Sequence, residues 1–254
     1  MIITLHAFVR GTGKSSIAAN IAMLLAQQGK RVAVVDMDLT LPGMHLLFEG
    51  VQIGQRCVNS YLLNQATLSE VVQPIAVPSA SSEAHSSEAR GKLWLVAASS
   101  DPSMIRATTR QGYSAERLQQ FFEQLLQHYQ LDVIMLDAQE GLSEINLPAI
   151  ALSDTLLTVM KLERPNYLGT GVALEVARRL EVPTIRLLVN SAHPSYDHAL
   201  IRQEVAEKYR CQVLGILPYD EAMTTLDNHV LFVLRYPEHP FSDKLRALAA
   251  ALTA

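Results

Sequence analysis

The chain reads Gly11-Thr12-Gly13-Lys14-Ser15 between an apolar run, residues 1–8, and a helical pattern that begins at Lys14. Successive backbone N–H groups in such a glycine-rich turn point at phosphate oxygens, and the following helix presents its positive end to them. Lys14 adds a cation for the β- and γ-phosphates, and Ser15 offers a hydroxyl to Mg²⁺. The sequence therefore predicts a nucleotide site, with a plain strand-to-helix turn as the alternative. The predicted phosphate-binding residues are Gly11, Thr12, Gly13, Lys14, Ser15 and Ser16.

The loop departs from the full phosphate-loop pattern at one position. That pattern is G-x-x-x-x-G-K-[ST], and its first glycine would fall on Phe8. A five-residue match can arise by chance, but its place between a strand and a helix favours a nucleotide site.

The composition is that of a folded globular chain. Of its 254 residues, 49% are hydrophobic and 18% are charged, so we expect a sizeable core. A net charge of −4 argues against a strongly basic nucleic-acid-binding protein, although a local basic patch stays open. Cys57 and Cys211 match no metal or redox spacing and are expected to be buried thiols of a cytoplasmic protein. No apolar run reaches the ~20 residues of a membrane span.

Strand and helix patterns alternate along the chain. Buried parallel strands are predicted at Ile2–Phe8, Arg31–Asp36, Lys92–Ala97, Asp132–Asp137, Thr155–Lys161, Thr184–Asn190 and Gln212–Leu217. Helices are predicted at Lys14–Gln28, Ala115–Tyr129, Ser143–Leu152, Asn166–Leu180, Asp197–Tyr209 and Phe241–Leu252. This alternation predicts one α/β domain, residues 1–254, with a doubly wound, mostly parallel sheet flanked by helices. Ligands of such sheets bind at the carboxyl ends of the strands.

Residues 74–90 interrupt the alternation. This stretch is small, polar and without periodicity, and includes Pro-Ser-Ala-Ser-Ser-Glu-Ala-His-Ser-Ser-Glu. We predict a flexible surface loop around residues 74–91 within the single domain, because strand and helix patterns resume after it.

Two predicted strands end in acidic residues. The second ends in Asp36-Met37-Asp38, and the fourth ends in Asp137. Beside a phosphate loop, Asp36 and Asp137 suit the shell of Mg²⁺, and Asp38 suits the attacking water of a hydrolysis reaction. Gly141 could offer its N–H to a γ-phosphate. Acidic turns, helix caps and simple strand exits are the alternative for these positions.

A base-binding site is predicted at the last strand ends. Asn190 ends a buried strand, and its side-chain amide carries the donor and acceptor that a nucleobase edge needs. Pro218 and Tyr219 follow the next strand and could pack against the base. An ordinary turn asparagine is the alternative. The chain has no Asn-Lys-x-Asp guanine signature, which favours ATP over GTP.

In order and spacing, these motifs resemble the deviant Walker A ATPases of the ParA/MinD type. The family pattern is Lys-Gly-Gly-x-Gly-Lys-[Ser/Thr], then a strand ending Asp-x-Asp, then a hydrophobic strand with Asp-x-x-x-Gly. The corresponding segments are Val9-Arg10-Gly11-Thr12-Gly13-Lys14-Ser15, Val34-Val35-Asp36-Met37-Asp38 and Met135-Leu136-Asp137-Ala138-Gln139-Glu140-Gly141. Residues 16–22, 187–190 and 215–220 are similar too, so the resemblance covers nearly the whole chain and implies a P-loop NTPase fold.

The resemblance implies an ATP- and Mg²⁺-dependent homodimer that holds the nucleotide at the subunit interface. Hydrolysis in such ATPases is slow until an adaptor protein stimulates it. They position plasmids, chromosomes, division sites, carboxysomes or other large cargo. By carry-over, Lys14 and Ser15 would bind phosphate and Mg²⁺, Asp38 would serve the attacking water, and Asp137 would belong to the metal shell. Asn190 would contact adenine.

The resemblance fails at the family's signature lysine. The lysine that reaches the other subunit's ATP falls on Val9, and the glycine after it falls on Arg10. Our first candidate for the replacement catalytic cation is Lys161 at a strand end, the second is Arg10, and the third is Arg164. A solvated surface charge is the alternative for each. Carboxysome-positioning members of the family resemble this chain in lacking the lysine.

The resemblance also raises a choice between membrane and DNA. MinD-like relatives carry a basic amphipathic C-terminal helix for membranes, whereas residues 242–252 hold two cations and many alanines and predict a packed helix. ParA-like relatives bind DNA without sequence preference as ATP dimers, so we favour nonspecific nucleoid DNA over membrane. The candidate DNA-binding cations are Arg178, Arg179, Arg202, Lys208, Arg210, Arg235, Lys244 and Arg246.

Other functions within the superfamily stay open besides a MinD-like ATPase. A metal-cofactor or enzyme-maturation ATPase would hold cysteines for a metal at the dimer interface, and Cys57 and Cys211 lack the paired spacing. A regulatory module that binds ATP without hydrolysing it would fit the lost lysine at Val9.

Overall fold

The computed structural model describes residues 1–51, 53–54, 56–78, 91–226 and 230–253. Within them, eight strands form one sheet in the order β3-β4-β2-β5-β1-β6-β7-β8. The strands are β1 (Ile2–His6), β2 (Arg31–Met37), β3 (Gln73–Ile75), β4 (Lys92–Val96), β5 (Val133–Ala138), β6 (Thr155–Met160), β7 (Thr184–Ala192) and β8 (Gln212–Pro218). All neighbours pair in parallel except β3, which runs antiparallel to β4. The predicted doubly wound, mostly parallel α/β sheet is confirmed.

All seven predicted strands occur, and β3 is an eighth that the sequence did not indicate. Pro74 and Ile75 lie in β3, so the predicted flexible loop cannot begin at residue 74. Pro74 has no N–H to give to a ladder, a lack that an edge strand such as β3 tolerates. The remainder of that prediction, residues 79–90, lies outside the described part of the chain.

Helices connect the strands on both faces of the sheet. They are α1 (Lys14–Gln27), α2 (Val58–Leu62), α3 (Leu68–Val71), α4 (Pro102–Gln111), α5 (Ala115–His128), α6 (Leu147–Ala151), α7 (Arg164–Arg179), α8 (His198–Tyr209), α9 (Glu221–Thr225), α10 (Phe232–Arg235) and α11 (Pro240–Leu252), with a 3-10 turn at Met44–Leu47. The six predicted helices correspond to α1, α5, α6, α7, α8 and α11. The other helices escaped prediction because they show no apolar period. Most of them span only four or five residues, and the longer α4 buries only Thr108.

The core lies in two layers, because successive strand residues point to opposite faces of the sheet. One layer packs α1 and α11 against alternate residues of the strands, such as Ile3 and Leu5 of β1. The opposite layer packs α5 against β2, β4 and β5, with Phe121 at its centre. The C-terminal helix α11 buries Leu245, Leu248 and Leu252 in the first layer, which confirms the predicted packed helix. None of the described helices is long and apolar enough to cross a membrane.

The strand order brings the predicted functional residues to one edge of the sheet. Strands β2, β5, β1 and β6 are consecutive neighbours and parallel, so their carboxyl ends lie side by side. The register pairs Asp36 of β2 directly with Asp137 of β5. β1 lies on the other side of β5 and leads into the phosphate loop.

Helix α7 approaches β1 closely at a glycine. A Cβ atom placed on Gly169 would lie 1.9 Å from Cδ1 and 2.2 Å from Cγ of Phe8, so the ring occupies the space of a side chain. Phe8 precedes the phosphate loop by two residues. Gly169 thereby sets how near α7 sits to the segment that enters the loop.

We expect Gly169→Ala to lower the free energy of unfolding by about 1–3 kcal/mol, the usual cost of overpacking a filled site. The matched control is Gly171→Ala on the same helix, where the added Cβ would lie 3.6 Å from Tyr209 Cε1, an ordinary contact. That control should gain about 0.5–1 kcal/mol from the better helix propensity of alanine. Urea unfolding measures both, and equal stability of the two variants would contradict the close packing.

Candidate nucleotide site

The phosphate loop presents an uncapped helix N-terminus. Gly13 precedes α1 in the left-handed conformation, with φ of 84°, and no described side chain caps the helix. The first turn also contains no acidic residue. An uncapped N-terminus leaves its N–H groups and the positive end of the helix dipole available to an anion. This geometry fits the predicted role of residues 11–16 in binding phosphate.

Asn190 holds the loop in place from the end of β7. Its Nδ2 donates a hydrogen bond to the Thr12 carbonyl at 2.7 Å, and a Cβ on Gly13 would lie 2.5 Å from that nitrogen. Only glycine therefore fits at position 13, for its positive φ and for this close approach. The amide predicted to contact adenine thus makes a contact within the protein, and its role toward a base stays a prediction.

Lys14 and Asp137 form a buried ion pair between the loop and β5. Both side chains are 3% exposed, and the lysine Nζ contacts Asp137 Oδ1. A buried pair of this kind is costly to break by removing one partner, because the other charge is left without compensation. The structure thus brings the two predicted residues together at the point where β1 and β5 end.

Asp36 is fully buried beside this pair. Its oxygens accept hydrogen bonds from the backbone N–H groups of Asp38 at 3.0 Å, Gly43 at 3.3 Å and Met44 at 3.2 Å. Burial raises the pKa of Asp36 to about 8, and the negative charge of Asp137 adds to that rise. A carboxyl group raised in this way is poised to lose its proton when a cation arrives.

Asp38 closes the loop that follows β2. Its Oδ1 accepts from the Thr40 N–H at 3.3 Å, the Thr40 hydroxyl at 3.0 Å and the Leu41 N–H at 3.0 Å. The side chain is only 8% exposed, and its other oxygen, Oδ2, faces Arg10. This placement fits the predicted contact with an attacking water.

Arg10 joins two acidic residues of its own chain. Its guanidinium lies 3.4 Å from Asp38 Oδ2 and 3.4 Å from Glu140 Oε2, and the side chain is 54% exposed. An arginine reaching across a dimer would have to leave both carboxylates. The structure therefore gives Arg10 a contact within the subunit that the sequence did not suggest.

The other predicted residues lie along the same edge. Lys161 directly follows β6, beside β1, and is half-buried without an ion pair among the described residues. Arg164 is exposed at the start of α7. Pro218 pairs in register with Ala192 of β7, and the half-exposed Tyr219 donates its N–H to the Ala192 carbonyl at 2.7 Å. Both therefore lie level with Ala192, two residues along β7 from Asn190.

Gly141 does not match its expected role in this structure. Its N–H donates to the Ala7 carbonyl at 3.0 Å and so is not free for a phosphate. Its carbonyl accepts from His6 Nε2 at 2.6 Å and Asn146 Nδ2 at 2.8 Å. Burial lowers the pKa of His6 to about 4, so the ring is neutral when it donates this bond. Sequence reasoning missed His6 because nothing in its spacing marks a partner 135 residues away. It missed Asn146 because the bonds of that side chain to the nearby carbonyls of Gln139 and Gly141 depend on how the loop folds.

The oxygen donors at this edge suit a hard divalent cation. Ser15 lies in the first turn of α1, and the register places Asp36 and Asp137 side by side at the strand ends. Hydroxyl and carboxylate oxygens are the ligands that Mg²⁺ prefers, usually through retained waters. Within the described residues, no group of three histidine, cysteine or acidic side chains forms a self-contained metal site. A cation here would therefore need oxygens from phosphate or water.

Several predicted DNA-binding cations are engaged within the chain. Arg178 and Arg202 contact the backbone carbonyls of Tyr209 and Val213, and Arg246 pairs with Asp243 at 2.6 Å. Arg179 pairs with Glu175 at 3.4 Å. These contacts give each of the four side chains a structural role within the chain. A DNA-binding surface would have to use the same side chains for a second purpose.

A protein-family model matches this geometry and sequence. The CobQ/CobB/MinD/ParA nucleotide binding domain matches residues 3–231. The chain belongs to this family. An ATP-binding protein of Methanocaldococcus jannaschii is similar to this family member, with 23% identity over 243 residues, covering 95% of this chain and 83% of the relative.

Solved structures show the same fold as this CobQ/CobB/MinD/ParA family member. MinD complexed with Mg-ADP from Pyrococcus horikoshii has a TM-score of 0.80 at 18% identity, covering 100% of this chain and 98% of that one. Apo McdA from Cyanothece has a TM-score of 0.77 at 17% identity, covering 99% and 98%. The resemblance to the ParA/MinD family and the P-loop NTPase fold are confirmed.

The raised pKa of Asp36 predicts a pH dependence of stability. The folded chain keeps the Asp36 proton up to about pH 8, whereas the unfolded chain loses it near the ordinary value of 3.8. The folded state therefore binds the extra proton, and its stabilisation is present at low pH and declines as pH rises through the folded pKa.

We expect the free energy of unfolding of the nucleotide-free, chelator-treated protein, and with it the melting temperature, to fall between about pH 5 and about pH 8. This group contributes a slope near ~1.4 kcal/mol per pH unit, which levels off as the pH nears the folded pKa. Asp36→Asn cannot titrate and should show a flatter profile over that window. Thermal melts at matched ionic strength measure the difference, and parallel profiles would contradict the shift.

Proposed function

We propose that this protein is a ParA-type ATPase that binds Mg-ATP, dimerises around it and hydrolyses it slowly until an adaptor protein stimulates it. The observation that carries the proposal is the buried cluster at the sheet edge. It joins Lys14 of the phosphate loop to Asp137, with Asp36 and Asp38 alongside. This is the set of groups that phosphate, Mg²⁺ and an attacking water require.

The roles follow from the chemistry of each group. Lys14 binds the phosphates, and the uncapped start of α1 supplies N–H donors from residues 14–16. Ser15, Asp36 and Asp137 hold the Mg²⁺ shell, since they are the oxygen donors nearest the loop. Asp38 orients the attacking water. Mg²⁺ supplies charge neutralisation of the phosphates when bound.

Asn190, Pro218 and Tyr219 form the proposed adenine site. Asn190 lies two residues before the end of β7 and contacts the phosphate loop, Pro218 ends β8, and Tyr219 follows it. The amide supplies the paired donor and acceptor of an adenine edge, and Tyr219 is half-exposed and free to pack on a ring face.

In the dimer, the missing signature lysine needs a replacement, and Lys161 fits best. It stands at the carboxyl end of β6, half-buried, with no ion pair in the described part of the chain to hold it away. Arg10 already neutralises Asp38 and Glu140 within its own subunit. A cation without a partner can turn to a phosphate of the other subunit at lower cost.

We infer that the dimer binds nucleoid DNA nonspecifically and positions a large intracellular cargo, with carboxysome positioning as the specific case. The support for that case is the resemblance of the chain to carboxysome-positioning members of the family, which also lack the lysine that falls on Val9. Two monomers would align cations that are scattered on one, which raises affinity for phosphates steeply.

The lysine missing at Val9 also suits an alternative function. A module that binds ATP without hydrolysing it would follow if no cation replaced the lysine at Val9. A metal-maturation role is disfavoured because Cys57 and Cys211 are both buried, and neither belongs to a group of metal-ligating side chains among the described residues.

Asp38→Ala should trap the ATP-bound dimer, because water positioning is lost while phosphate binding is kept. Size-exclusion chromatography with Mg-ATP should show a dimer, and the same sample should retain duplex DNA of arbitrary sequence. The control is Lys14→Ala, which should stay monomeric since it loses the phosphate cation. Failure of Asp38→Ala to dimerise would contradict the sandwich, and a dimer without DNA affinity would remove DNA from the proposal.

Lys161→Ala should abolish ATP-dependent dimerisation while leaving the affinity of the monomer for Mg-ADP unchanged. The control is Lys92→Ala, which removes an exposed lysine at the opposite, amino-terminal edge of the sheet. Arg10→Ala tests the competing cation. Analytical ultracentrifugation with and without ATP gives the answer, and normal dimerisation of Lys161→Ala would rule out its role.

A further inference from the structure

One buried polar atom beside Asp38 lacks a partner. The side-chain amide of Gln139, in the loop after β5, donates from Nε2 to the Thr40 hydroxyl at 3.0 Å. The Thr40 hydroxyl in turn lies 3.0 Å from Asp38 Oδ1. The other amide atom, Gln139 Oε1, is buried and has no hydrogen-bond partner among the described residues.

Proton accounting fixes the orientation of this amide. The Thr40 hydroxyl has a single proton, which it gives to Asp38, because a carboxylate oxygen only accepts. Gln139 must then be the donor to Thr40, so its NH₂ group faces the hydroxyl. The carbonyl oxygen Oε1 of the same planar amide is consequently the free acceptor, and the amide is linked to Asp38 through Thr40.

A buried amide oxygen without a donor is unfavourable, so a donor is expected at this place in the working site. The loop does not need the Gln139 side chain for its own position. Asn146 Nδ2 already holds the Gln139 backbone carbonyl at 3.0 Å, and the Gly141 N–H is bound to Ala7 at 3.0 Å.

We propose that Gln139 is a positioning residue for the attacking water, acting together with Asp38. A water that attacks phosphorus presents an oxygen lone pair to it and needs acceptors for its two hydrogens. Asp38 Oδ2 and Gln139 Oε1 are two such acceptors, and Thr40 links their side chains at a fixed spacing. This inference rests on the proposed ATP hydrolysis and deepens it.

The step balances with these groups. The water oxygen forms a bond to the γ-phosphorus while the bond from that phosphorus to the β–γ bridging oxygen breaks. ADP leaves with the bridging oxygen, and one water proton passes to the Asp38 carboxylate and then to the released phosphate. Gln139 only accepts a hydrogen bond throughout, so it orients the water and does not take the proton.

The test is Gln139→Met, which keeps the length of the side chain but removes both hydrogen-bonding groups. We expect single-turnover ATP hydrolysis to fall by about tenfold or more, as for other lost water-orienting contacts. The affinity for Mg-ADP should stay within about twofold, since Gln139 contacts no predicted phosphate ligand. Binding of Mg-ADP with aluminium fluoride, which holds a water in the attacking position, should weaken as hydrolysis does.

The matched control is Gln203→Met on the exposed face of α8, where the glutamine bonds only Glu207 at 2.9 Å. It should behave as the parent in all three measurements. A Gln139→Met protein that hydrolyses ATP at the parent rate overturns the inference. A parallel loss of Mg-ADP affinity overturns it too, because that result indicates a structural role. If the parent neither hydrolyses ATP nor binds Mg-ADP more tightly with aluminium fluoride, the proposed function itself fails.

Discussion

The buried ion pair between Lys14 and Asp137 is the interaction on which the site depends. It places a cation of the phosphate loop against a carboxylate whose register neighbour is the equally buried Asp36. The lysine offsets the charge of Asp137 in this desolvated space, while the raised pKa of Asp36 keeps that carboxyl group protonated at neutral pH. In the proposed function, nucleotide binding would be an exchange in which phosphate takes the lysine and a divalent cation takes the carboxylates.

The sheet could be predicted from sequence because its central strands are continuous apolar runs, each long enough to show a buried strand. Runs such as Val32–Val35 and Val133–Leu136 have one interpretation once helical patterns separate them. Strand β3 and the short helices escaped because three to five residues carry no usable period, and their positions depend on tertiary packing. Pro74 also favoured the loop prediction, because the sequence alone does not show that its strand lies at the edge of the sheet.

The site was predictable where local chemistry sufficed and not where distant segments meet. Asp36, Asp137 and Lys14 were found because a strand end or a glycine turn marks each of them. The contact of Arg10 with Asp38 and Glu140 joins three loops far apart in sequence, and nothing local announces it. The motif predicts that the N–H of Gly141 binds phosphate, but this N–H donates to the carbonyl of Ala7, which follows β1. Gln139 lies within the Asp-x-x-x-Gly motif, but only its hydrogen-bond geometry points to its proposed role.

The contact of Asn190 with Thr12 has a consequence for selectivity. The amide is already satisfied at 2.7 Å before any base arrives. A base that fits gives back the bond it displaces, so the gain in affinity is small. A base with the wrong edge would form no hydrogen bond in exchange and would leave a buried polar group without a partner. The binding free energy lost in this way is far larger than the gain from a good fit. Asn190 would thus contribute more to base selectivity than to affinity. Its loss should reduce discrimination among nucleotides more than it weakens their binding.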